Sequence, residues 1–294
     1  MRVAVLICTM NRPDELRCGL EALCMCEPRP DEILVSDDSP EMDRCTEEVC
    51  GEFSRIAYHR GPRRGLAANR NAAIAGVNSD WIHFIDDDVK VRPDFYKNAG
   101  EIIASLSEPA LLSGFEQNHS PDREPRLVKP PYAGFWPHLE DAAGRSPTCV
   151  VINAALFPRE LLQTTPFDER LKYGCEESDI TCHALAKGYR LIVDERLVVD
   201  HYPSPANRSV YQGWLIASQV YAGLKRQWLY ARNPLKAVLY LLIAVPRLVI
   251  FHFRRGGLRG GVAALKQTAQ GLKYFAELLQ ERRSGRTLAV DPSD

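Results

Sequence analysis

The sequence predicts an α/β fold, with a mostly parallel central sheet flanked by helices and a C-terminal helical extension. Three observations predict it. Short apolar runs alternate with helical stretches through most of the chain, the rhythm of βαβ units. Two of those runs end in acidic clusters, Asp37-Asp38 and Asp86-Asp87-Asp88, and ligands of open parallel sheets bind beyond the carboxyl ends of the strands. Residues 202–276 hold 11 Lys or Arg and no Asp or Glu, so the end of the chain differs in kind from what precedes it.

Taken in order, residues 3–7 (Val-Ala-Val-Leu-Ile) read as a buried strand, too short for a signal peptide. Pro13-Asp14-Glu15 opens a helix, with Pro near its first turn and acids at the positive end of the dipole. Residues 32–36 read as a second strand, 56–59 as a third and 81–85 as a fourth, with an Ala-rich helix over 65–75. Residues 116–148, rich in Pro, Gly and charge, read as loop, and 149–157 as a strand. A helix over 177–187 stops at Gly188, two short strands follow at 189–193 and 197–199, and Pro203-Ser204-Pro205 marks a boundary. The units expected are therefore 1–115, 116–205 and 206–294.

The chain has 294 residues, 45% hydrophobic and 26% charged, which excludes a disordered chain, a collagen repeat and a bundle of spanning helices. The net charge of −1 gives no sign of a nucleic-acid partner. Nine cysteines at irregular spacing, without paired zinc-ligand spacing, read as thiols in a reducing cytosol. The stretch 235–253 is apolar except for Lys236, Arg247 and His252, with Arg232, Arg254, Arg255 and Arg259 around it. A charge is costly in the middle of a bilayer, so the reading is a helical pair lying in an anionic membrane interface rather than a span. A buried core helix would carry the same pattern.

Asp86-Asp87-Asp88 would repel unless a cation neutralises it, and hard oxygen ligands suit Mn2+ or Mg2+ with a diphosphate. A solvated acidic turn would look the same. Asp37 and Asp38 can accept hydrogen bonds from a ribose or a base, or simply cap a helix. Thr9, Asn11 and Arg12 stand at the end of the first strand, and Arg60, Arg63, Arg64 and Arg70 precede or open the Ala-rich helix, where arginines hold phosphate oxygens. Glu176, Glu177 and Asp179 open another helix, where one carboxylate could take a proton from a hydroxyl and the others favour the dipole. His201 is a ligand candidate or a structural histidine.

The order of these features resembles the inverting family 2 glycosyltransferases, membrane-associated bacterial type. It is carried by Thr9-Met10-Asn11-Arg12, Val35-Ser36-Asp37-Asp38-Ser39, Arg70-Asn71 and Phe84-Ile85-Asp86-Asp87-Asp88. It continues in Asn153-Ala154-Ala155-Leu156-Phe157, Phe167-Asp168-Glu169, Gly174-Cys175-Glu176-Glu177-Ser178-Asp179, Gly188-Tyr189-Arg190 and Val199-Asp200-His201, and spans about 3–205. The resemblance implies the Rossmann-like GT-A fold, with 1–115 binding a nucleotide-sugar and 116–205 the acceptor. It implies that Asp86 and Asp88 bind Mn2+ or Mg2+ and the donor diphosphate, with His201 completing the metal site. Asp87 would face the ribose or donor sugar, and Asp38, with Thr9 and Arg12, would line the nucleoside pocket. The family's base is often the Asp of a Glu-Asp pair; here that position holds Glu177, with Glu176 and Asp179 as rivals. The implied reaction is transfer from a UDP-sugar by default to a glycan or lipid-linked acceptor in surface polysaccharide synthesis, at the cytoplasmic face of the inner membrane. Two other classes share an acidic site. A sugar nucleotidyltransferase usually carries a Gly-rich loop after the first strand, and 9–14 has no glycine. A non-catalytic glycan- or membrane-binding module would not need the acids.

Overall fold

The computed structural model describes residues 1–204 and 208–284, and the side chains of 208–212 are not included. The N-terminal half alternates β1 (Val3–Thr9), α1 (Pro13–Cys24), β2 (Glu32–Asp37), α2 (Cys45–Gly51), β3 (Ile56–Arg60), α3 (Leu66–Ala75) and β4 (Trp81–Asp86). Then come β5 (Val89–Val91), α4 (Phe95–Ala104), β6 (Ala110–Asn118), β7 (Arg126–Val128), β8 (Ala155–Pro158), α5 (Arg159–Thr164), α6 (Glu176–Ala186) and β9 (Arg190–His201). The extension is helical: α7 (Arg208–Lys225), a π-turn at Arg226–Tyr230, α8 (Pro234–Leu239), a second π-turn at Tyr240–Ala244, and α9 (Val245–Arg283), which kinks at Gly257.

Among the described residues the strands form one sheet in the order β3-β2-β1-β4-β8-β6-β9-β5, with β7 beside β6. It is parallel across β3-β2-β1-β4 and mixed beyond, because β8 runs against both β4 and β6. β1 is buried on both faces, as parallel strands are. Val3, Val5 and Ile7 pack with α1 and α4, while Ala4 and Leu6 pack with α3 and α6.

The sheet curls, and the chain itself requires it. Only Asp87 and Asp88 separate β4 from β5, yet β5 pairs with β9 and lies four places from β4 in the order. Two residues cannot bridge a flat sheet of that width at 4.7–4.9 Å per strand. The curl therefore brings the end of β4 to the end of β9, and with it Asp86 to His201.

Three local expectations are corrected. Residues 149–157 pair as a strand only from Ala155, because the preceding backbone is used elsewhere: the Cys149 amide bonds Pro131 O, and the Val151 amide bonds the Ser113 hydroxyl. The two strands at 189–193 and 197–199 are one strand, β9, interrupted by a bulge opposite Gly114. Residues 116–118 are not loop but the end of β6, which pairs with β9 up to His201.

Candidate active site

The carboxyl ends of β1, β2 and β4 and the end of β9 surround a cavity of about 310 Å3. Its walls include Thr9, Arg12, Asp38, Asp86, Asp87, Asp88 and His201 from the expected set, with Asn69 and Tyr173. Ligand atoms of Asp86, Asp88 and His201 lie within 4.8 Å of one another.

This trio fits a divalent cation. Asp88 Oδ2 accepts from the Ser204 amide at 2.9 Å and faces Arg12 at 3.4 Å. Asp88 Oδ1 is buried without a hydrogen-bond partner, 3.0 Å from His201 Nε2. The other imidazole nitrogen, Nδ1, lies 2.7 Å from Glu116 Oε1. A carboxylate on the far nitrogen orients a metal-binding histidine and raises its basicity. Asn153 ties this arrangement to β4: it donates to Glu116 Oε2 at 3.0 Å and accepts from the Asp86 amide at 2.9 Å. Burial opposes charge on His201, but Asp88 and Glu116 outweigh it and push the imidazole up to about 10. Burial also opposes charge on Asp88, and His201, the Ser204 amide and Arg12 outweigh it and hold the carboxyl below its ordinary value. Asp86 is shifted upward by burial, with Arg70 opposing.

The remaining expected residues divide. Asp87 accepts from Thr9 Oγ1 at 2.7 Å and Arg12 Nη1 at 2.9 Å, and burial lifts it to about 7 against both. Asp38 accepts from the Arg63 amide at 2.8 Å, and its pKa is raised by burial. Asp37 is fully buried away from the cavity, accepting from Tyr58, Arg60 and the Ser39 amide. Asn11 is exposed, in a left-handed turn whose amide bonds Ser39 Oγ. Arg64 pairs with Glu169 at the surface, 3.1 Å away. Arg70 is buried between the rings of Phe84 and Phe167, 3.3 Å from Glu176 and 3.9 Å from Asp86, and so joins α3, β4 and α6.

The first turn of α6 carries the three rival carboxylates. The chain enters it through Gly174 and Cys175, both in the left-handed region. Glu176 is buried on Arg70 and lifted to about 7 by burial and by Glu177. Asp179 is held by Lys225 at 2.7 Å and by the Tyr230 hydroxyl at 3.0 Å. Glu177 alone of the three is partly exposed, its pKa raised by burial. Glu116, Asn153 and Lys225 were not identified from sequence as site residues. Glu116 ends an apolar run, 110–115, as the acidic clusters end theirs, and that was the available signal.

Residues 4–131 match the sequence pattern of Glycosyl transferase family 2. No curated protein sequence matches the chain. Among solved structures the chain is similar to S. aureus TarS 1-349 in complex with UDP-GlcNAc, at 14% identity and a TM-score of 0.62 over 97% of this chain and 92% of that one. It is similar at 16% identity and a TM-score of 0.57, with the same coverage, to TarS 1-349 in complex with UDP. At such identities the likeness concerns the fold, and that fold is GT-A. The pattern of Glycosyl transferase family 2 thus covers residues 4–131, within an architecture that is GT-A throughout.

Proposed function

We propose that this glycosyltransferase moves a sugar from a nucleotide-sugar, a UDP-sugar in the first instance, to a hydroxyl of a glycan or lipid-linked acceptor, with inversion at the anomeric carbon. The observation that carries the reading is the convergence of Asp86, Asp88 and His201 at one end of a cavity that Arg70 ties to the acidic first turn of α6. The complexes of TarS with UDP-GlcNAc and UDP support a uridine nucleotide as the first to try. Residues 1–115 hold the donor, 116–205 the acceptor, and 206–294 form the extension.

In this reading Thr9, Arg12, Asp38 and Asp87 shape the nucleoside end of the cavity. Mn2+ or Mg2+ held by Asp86, Asp88 and His201 would offset charge on the leaving diphosphate. Glu177 is the base. Glu176 is committed to Arg70 and Asp179 to Lys225, while Glu177 is partly exposed and, among the described residues, no side chain bonds its carboxylate. It takes the proton as the acceptor oxygen bonds to the anomeric carbon and the bond from that carbon to the diphosphate oxygen breaks. A raised pKa makes Glu177 a stronger base than an exposed glutamate. The apolar, basic extension supports work at the cytoplasmic face of the inner membrane, on a surface polysaccharide.

The test is a thermal-shift panel of nucleoside diphosphates and nucleotide-sugars with and without Mn2+, followed by turnover. A ligand at 100 times its Kd adds about 2.7 kcal/mol of stability. A Mn2+-dependent shift with a uridine nucleotide, absent in Asp88→Ala, is expected. A folded protein that responds to no nucleotide overturns the donor assignment, and full activity in Asp88→Ala overturns the metal assignment.

A further inference from the structure

Lys225 ends α7, outside the sheet domain, and its side chain is fully buried. Its ammonium lies 2.7 Å from Asp179 Oδ2 and 2.9 Å from Asp168 Oδ2. Tyr221, one turn earlier, donates to the same oxygen of Asp168 at 2.6 Å, and Tyr230 donates to the other oxygen of Asp179 at 3.0 Å. Arg170, beside Asp168, reaches Glu281 on α9. The extension therefore grips the catalytic domain through two carboxylates, and those two bracket the segment 168–179 that contains Glu177.

That segment would not hold its shape unaided. Cys175 sits at φ 72°, in the left-handed region that a residue with a Cβ seldom adopts. Three acids crowd the first turn of α6, and no side chain caps it. A buried ion cluster is weak grounds for stability, since apolar residues of similar volume often serve as well. What a lysine between two carboxylates adds is a fixed position for both.

We infer that Lys225 is a positioning residue for sugar transfer: by pinning Asp168 and Asp179 it sets the place from which Glu177 acts. The inference rests on the reading of Glu177 as the base.

The test compares Glu177→Gln, Lys225→Met and the neutral triple variant Lys225→Met/Asp168→Asn/Asp179→Asn, each in the full chain. The triple variant leaves no uncompensated charge, so it covers the case in which Lys225→Met does not fold. UDP release from UDP-GlcNAc with Mn2+ is measured together with UDP affinity. A displacement of about 1 Å at a reacting group can cost about 100-fold in rate. We expect kcat to fall by about that factor in the Lys225 variants, with the KM for UDP-GlcNAc and the Kd for UDP within about threefold of wild type. Unchanged kcat per folded molecule, at whatever melting temperature, overturns the inference. Hydrogen exchange at amides 176–180 needs no donor: faster exchange there in the folded variants supports the pinning, and unchanged exchange overturns it. Full activity in Glu177→Gln would instead remove the base assignment, and the exchange result would still decide what Lys225 holds.

Discussion

His201 stands between two carboxylates, and this decides how the site answers pH. Its pKa in the folded protein, about 10, lies above the ordinary value of 6.5, because Asp88 and Glu116 outweigh burial. Its charge therefore stabilises the metal-free fold fully below about pH 6.5, and that contribution is lost as pH rises through 10. A cation bound by Asp86, Asp88 and His201 needs a neutral Nε2, so binding must expel a proton at any pH well below 10. Mn2+ affinity should then rise about tenfold per pH unit through the neutral range. Calorimetry at pH 7.5 in two buffers of different ionisation enthalpy should show about one proton released; release of none would place His201 outside the ligand set. Glu116→Gln weakens the acceptor that orients the ring and should reduce Mn2+ affinity 10- to 100-fold. The three proposed ligands stand out in the sequence because two sit in an acidic strand end and the third closely follows the apolar run 197–199. Glu116 was not, because its meaning comes from pairing: β6 runs beside β9 so that Asn118 opposes His201, a contact across 83 residues of chain.

β6 and β9 set that register through a bulge. Ser113 opposes Val193 and Phe115 opposes Val198, so residues 194–197 of β9 arch over Gly114 alone. A Cβ on Gly114 would lie 1.8 Å from Leu197 O, a backbone atom that cannot step aside. Gly114→Ala should therefore cost about 3 kcal/mol, at the upper end of overpacking penalties. Urea unfolding should show a lower midpoint with an unchanged slope. Because β9 ends in His201, Mn2+ affinity should fall as well; wild-type stability and metal affinity together would show that the bulge does not set the register. The βαβ rhythm of the first half was legible since each strand there is a short apolar run between turn residues. The second half was harder for a physical reason. The bulge places the charged stretch Asp194-Glu195-Arg196 inside one strand, which splits its pattern into two. Conversely, Cys149, Val150, Val151 and Ala154 are apolar because they are buried, not because they pair.

At the scale of the whole molecule, residues 208–276 of the carboxylate-free stretch form a helical layer with two unlike faces. Tyr240, Ala244 and Val245 pack with Ile216, Val220 and Leu224 of α7, and Ala237, one turn before Tyr240, is buried as well. The other side leaves Leu235, Leu242, Ile243, Ile250, Phe251 and Phe253 exposed, with Arg254, Arg255 and Arg259 at the kink. By length and composition Pro234–Arg283 could cross a membrane, with a mean hydropathy of 1.9 over its best window. Yet the helix turns at Gly257, and Gly260 and Gly261 meet His252 and Phe253 across the turn. One face is thus already committed to α7, while a spanning helix would present apolar surface to lipid along its length. The arrangement suits a layer lying in the interface, with its apolar face among acyl chains and its arginines on anionic headgroups. Both contributions can be separated with phosphatidylglycerol and phosphatidylcholine vesicles. Each exposed Leu or Ile that enters the bilayer contributes about 1.5–3 kcal/mol, so Leu242→Glu/Ile250→Glu should lower vesicle affinity by more than about 100-fold while binding of UDP at the proposed site, lined by the ends of β1, β2 and β4, is kept. Binding to the anionic vesicles should also weaken as salt rises from 0.1 M to 1 M and the screening length falls from about 10 Å to about 3 Å. Equal binding to both lipids at all salt concentrations would leave the arginines without a role, and equal binding by the double variant would move the contact off this face altogether.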